Sequence, residues 1–116
     1  MEENSHFDKK SISIIRGSKA DFKELAKDCV CFANGFGGSI YIGIEDEEEL
    51  PPFDQKIKDS EIEKLNKTIP ALTLNVGILP QKVLAENGGE YIDLKIFRSA
   101  QSVASTTDGR YYMRVS

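Results

Sequence analysis

Four cations recur at short intervals near the front of the chain: Arg16, Lys19, Lys23 and Lys27. Lysines four residues apart share one helical face, so the three lysines, with Arg16 before them, would form a basic stripe able to meet successive phosphates. Glu24 and Asp28 lie beside them, and an ordinary solubilising surface is the plainer reading. Near the other end Arg110, Tyr112 and Arg114 alternate, which on a strand puts two guanidinium groups and a phenol on one face. Such a set can grip a phosphate backbone and stack a base, or simply pack an interface. Asn34-Gly-Phe-Gly-Gly38 offers backbone N–H groups, but phosphate loops precede a helix and use its positive end, whereas these glycines follow one. A tight helix-to-strand connection is expected there, not ATP binding. Asp21 reads as a helix-capping acid and Asp46 as part of a solvated acidic loop. Each keeps a second reading as a ligand for a divalent cation.

Charge weighs little either way. The net charge is −4, unfavourable for an anionic partner, but five of the 19 acids are the consecutive run Glu45 to Glu49; setting them aside leaves 14 acids against 15 bases. At 116 residues, 40% hydrophobic, the chain can enclose one core and not two. No run approaches the roughly 20 apolar residues that cross a bilayer, and the first residues are acidic where a secretory signal is basic, so no membrane partner and a cytoplasmic location are expected. Cys29 and Cys31, two apart in a predicted helix, point to different faces and are expected to stay reduced. With His6 the one histidine, no zinc site or other cofactor is expected.

The elements that must carry these residues follow from periodicity. Residues 1–10 are polar and read as a flexible tail, leaving 11–116 as the domain. Ser11 to Ile15 alternates like a short strand. Ser18 to Asp21 has the spacing of a capping box, and Phe22, Leu25, Ala26, Cys29, Phe32 and Ala33 form one helical stripe that Gly35 ends. Ile40, Ile42 and Ile44 mark a strand with one buried face. Ile57 to Ile69 predicts a second helix ended by Pro70. Leu74 to Ala85, with a break at Pro80, and Tyr91 to Phe97 predict strands joined by a hairpin at Asn87-Gly88-Gly89. A second hairpin at Asp108-Gly109 would join Ser102–Thr106 to Arg110–Val115. The result is an α+β domain: a mixed, mostly antiparallel sheet with two helices. The chain stops inside a good strand at Arg114 to Ser116 and reads as a piece of a longer protein.

Three segments in this order resemble the Schlafen AlbA-like family. They are Asp21-Phe-Lys23, the phrase from Cys31 through Phe-Ala-Asn, the glycines and the isoleucine strand to Asp46, and Gly109 to Val115. The resemblance implies a nucleic-acid-binding module (DNA or RNA) of a transcriptional-regulator-like protein. In animal relatives it implies an RNA endonuclease that cuts transfer RNA with three carboxylates. Two of those match Asp21 and Asp46, which would serve as catalytic residues with magnesium or manganese. The third falls on Arg16, and an arginine beside the metal changes the local charge by two units, which favours binding without cutting. Arginine there would instead pair with a phosphate. Animal relatives also pack two similar lobes side by side, which implies a homodimer here, so a dimerisation or ATP-binding module stands as a further alternative.

Overall fold

The structure is a computed structural model that describes residues 6–99, 103–110 and 112. A four-stranded mixed sheet runs β1 (Phe7–Lys10), β2 (Gly38–Ile42), β5 (Glu90–Phe97), β4 (Gly77–Leu84). The β1–β2 pair is parallel, and the other two pairs are antiparallel. A second, two-stranded sheet joins β3 (Thr73–Leu74) to β6 (Ser105–Thr106). Two helices complete the α+β fold, α1 (Phe22–Asn34) and α2 (Asp59–Leu72). Ile40, Ile42, Ile92, Leu94 and Ile96 on one sheet face enter the same core as Leu25, Cys29 and Phe32 of α1 and Leu65 and Ile69 of α2. The opposite face carries a row of rings, Phe7, Tyr41 and Tyr91, with successive centroids 5.8 and 5.9 Å apart.

Strand β1 begins inside the segment expected to be a tail. Its charges hide it from a pattern search, and its two lysines find partners far along the chain. The Lys9 ammonium, on a residue only 3% exposed, donates to the carbonyls of Asp46 (2.9 Å) and Glu48 (2.8 Å), so the acidic run is pinned at its backbone. Lys10 bridges Asp8 (3.3 Å) and Asp28 (3.1 Å). Burial alone would lower the Lys10 pKa, and the two carboxylates outweigh it and raise it.

Residues 11 to 15, expected to be a strand, form instead a 3₁₀ turn at Ile12–Ile14. The Ser11 hydroxyl accepts from the Ser13 N–H, a local bond that competes with any ladder. The capping box also moves. Ser18 sits in a second 3₁₀ turn (Gly17–Lys19) that Gly17 enters at φ +73°, and Asp21 is itself the cap, its carboxylate accepting from the Glu24 N–H at 3.0 Å. The buried stripe of α1 stands as expected, and the helix ends at Gly35.

Neither proline breaks its element. Pro70 lies in the last turn of α2, where it and Asn66 are both exposed, so water can take the carbonyl that proline leaves unpaired. Pro80 is tolerated because β4 is an edge strand. The hairpin at Asn87 forms as expected, with Asn87 Nδ2 donating to the Pro51 carbonyl at 2.7 Å. The turn before Arg110 also forms, Thr106 N–H donating to the Arg110 carbonyl at 3.0 Å. Its expected partner strand lies largely outside the described residues; on its described side β6 pairs with β3.

The glycine turn after α1 is a close backbone passage. Gly37 has φ +75°, and a Cβ there would stand 2.8 Å from the Ile96 carbonyl oxygen. Replacing Gly37 with alanine is expected to lower stability by about 1–3 kcal/mol, the scale for a side chain held in the left-handed region. Urea unfolding measures this directly, and an unchanged midpoint would contradict it.

Candidate nucleic-acid interface

Helix α1 carries Lys23 and Lys27 one turn apart, and the turn after β6 carries Asp108 and Arg110. The chain between them is folded so that both reach one cleft of about 490 Å³. Asp21, Lys23, Glu24 and Lys27 form one wall; Thr106, Asp108, Arg110 and Tyr112 form the other, and Ala26 and Leu72 supply apolar floor.

Tyr112 packs its ring against α1. The Lys27 ammonium lies 5.2 Å from its ring centroid, a cation–π contact. Arg110 stands beside Tyr112 and the Asp108 carboxylate, and these neighbours raise the pKa of its exposed guanidinium. Asp108 accepts from the Thr106 hydroxyl, which with Arg110 at 3.5 Å lowers its own pKa. The turn is thus braced by its own side chains.

Asn34, the last residue of α1, sets the position of this wall. Its amide nitrogen donates to the carbonyls of Ala104 and Tyr112, both at 2.9 Å, while its oxygen accepts from the Ala104 N–H at 2.7 Å. From sequence Asn34 is only a helix-ending residue. No spacing signals this role, because its partners lie 70 and 78 residues away.

Of the residues singled out from sequence, Asp21, Lys23, Lys27, Arg110 and Tyr112 come together in the cleft. Lys19 is exposed on the preceding 3₁₀ turn and does not line it. Asp46 is exposed at the start of the acidic loop and does not line it either. Arg114 lies outside the described residues. The stripe expected to start at Arg16 is interrupted at its first member. Arg16 grips Glu61 at the front of α2 through two bonds, Nε–Oε2 at 2.6 Å and Nη2–Oε1 at 2.7 Å, and its Nη2 also donates to the Lys56 carbonyl. The hydrogen bond that Arg16 donates to Glu61 raises the Arg16 pKa and lowers that of Glu61 in return. Among the described residues, no three His, Cys, Asp or Glu side chains are grouped to hold a metal ion.

The family model described as Schlafen, AlbA_2 matches residues 3–116. The chain belongs to the Schlafen AlbA_2 family. That family is generally nucleic-acid related. No curated protein matches the chain. Among solved structures, the DIP2311 protein from Corynebacterium diphtheriae superimposes with a TM-score of 0.58 at 23% identity, over 96% of this chain. At that identity the likeness speaks for the fold. This Schlafen AlbA_2 chain spans 23% of the DIP2311 chain. Among the described residues, no helix is long and apolar enough to cross a membrane.

Proposed function

We propose that this chain is a nucleic-acid-binding module of a longer regulator-like protein, contacting phosphates through Lys23, Lys27 and Arg110 at the mouth of the cleft. One observation carries the reading: cations and an aromatic ring more than 80 positions apart in sequence line the same concavity. Phosphates are met by mobile ammonium groups and a planar guanidinium, and the ring offers a face to a base. Membership of a nucleic-acid-related family and the modular size relative to DIP2311 support it. The nuclease alternative has less support, since Asp46 stands away from the cleft that Asp21 lines and Arg16 faces Glu61.

Filter binding of duplex DNA and of transfer RNA at two salt concentrations tests the proposal. With three cations engaged, duplex affinity should fall by a few tens of fold between about 50 and 200 mM salt. Lys23→Gln combined with Lys27→Gln should weaken binding roughly ten-fold and flatten that salt dependence. No binding of either nucleic acid at low salt would end the reading.

A further inference from the structure

We infer that the cleft receives a single unstacked nucleotide, so that the module prefers single-stranded nucleic acid to duplex. The inference rests on the reading of the cleft as the nucleic-acid site and narrows what enters it. Three cations line the cleft, and so do three acids, Asp21, Glu24 and Asp108. A charge-balanced cavity is a poor receptor for a bare row of phosphates, because each acid beside the anion cancels a cation. It suits a ligand that brings an anion together with hydrogen-bond donors. A nucleotide is such a ligand: its phosphate faces the ammonium and guanidinium groups, and its base amino groups or sugar hydroxyls face the carboxylates.

Two of these acids, Asp21 and Glu24, have oxygens free to accept. Asp21 uses Oδ1 to cap α1, while its Oδ2 and the Glu24 carboxylate make no hydrogen bond among the described residues. The floor fits as well, since Leu72, Ala26 and the Tyr112 ring supply apolar and aromatic surface that the sugar–phosphate exterior of a duplex cannot use. Size points the same way. A cleft of about 490 Å³ lies within the range of sites that enclose a small ligand. The Lys27 contact with the ring and the Asn34 bond to the Tyr112 carbonyl hold this residue before any ligand arrives, which makes the ring a preset stacking surface rather than a mobile side chain.

Fluorescence anisotropy of the chain with labelled 12-nucleotide strands, DNA and RNA, and with their duplexes decides this. Single strands of at least one sugar should bind about five-fold or more tighter than the matching duplex. Tyr112→Ala should weaken strand binding about ten-fold, and Tyr112→Phe should keep it within about two-fold because the ring remains. Duplex bound as well as or better than both strands, or strand affinity indifferent to Tyr112→Ala, would overturn the inference. If that happens while duplex binding stays salt-sensitive, the proposed function survives and only the preference falls. Silence from every probe at low salt removes both.

Discussion

Asn34→Ala is expected to lower the melting temperature by roughly 10 °C and to weaken nucleic-acid binding at least ten-fold. The side chain makes three hydrogen bonds that tie the end of α1 to residues 104 and 112. Each is worth about 1 kcal/mol net, and the Ala104 N–H, on a fully buried residue, would lose its acceptor outright. A total of about 2–3 kcal/mol at roughly 4 °C per kcal/mol gives the shift. The binding loss follows from position rather than contact, because Asn34 fixes the segment that carries Arg110 and Tyr112. Asn34→Asp keeps the acceptor for Ala104 but aims a carboxylate at two carbonyls, so it should be no better than alanine. Hydrogen exchange across residues 103–110 should quicken in both variants. A melting point within about 1 °C of the parent would show that the segment is held by something else.

How far this fold can be read from sequence depends on whether a residue's partner is local. The stripe of α1, the alternation of Ile40 and Ile42 and of Ile92, Leu94 and Ile96, and the Asn87-Gly88-Gly89 turn are local patterns, and each forms the element its period predicts. Strand β1 is illegible because Lys9 and Lys10 look solvated until the carbonyls of Asp46 and Glu48 and the carboxylate of Asp28 are brought beside them, with Asp8 held by Lys10. The isoleucines at 12, 14 and 15 mislead in the opposite sense, since the Ser11 hydroxyl settles that segment into a turn. Pro70 and Pro80 read as breaks only when exposure and sheet order are unknown.

The candidate site divides in the same way. Lys23 and Lys27, four apart, and Arg110 and Tyr112, two apart, are visible as pairs, because helix and strand periods alone place each pair on one face. That the two pairs share a cleft needs the tertiary fold. Asp21 was open between cap and ligand, and its bond to the Glu24 N–H places it as a cap whose other oxygen is still available. Arg16 looked like the head of a phosphate-binding stripe for a sound reason, since guanidinium suits oxyanions. The oxyanion it finds is a carboxylate 45 residues on, which no local pattern announces.

That difference yields the second large effect. Arg16→Met should lower stability at neutral pH by about 2 kcal/mol while leaving nucleic-acid affinity within about two-fold. The pair is partly buried, with the Glu61 side chain 14% exposed and Arg16 36%, and charge-assisted bonds of this kind contribute more than an open surface pair. Removing the guanidinium frees the loop before α1 from α2 and leaves Glu61, among the described residues, the Lys58 N–H at 2.9 Å. The pH dependence identifies the cause. The Arg16 hydrogen bond, against some desolvation, holds the Glu61 pKa below its ordinary 4.5, so on acidification the unfolded chain takes up this proton first. The pair's stabilisation is therefore complete above about pH 4.5 and is lost as pH falls through the lower folded value. Arginine stays charged in both states throughout, so its own raised pKa changes nothing in this range. Urea denaturation of parent and Arg16→Met between about pH 3 and 7 should give curves that converge at the acid end. A gap unchanged down to pH 3, or ten-fold weaker binding at an unaltered midpoint, would return Arg16 to the phosphate-facing role its residue type suggests.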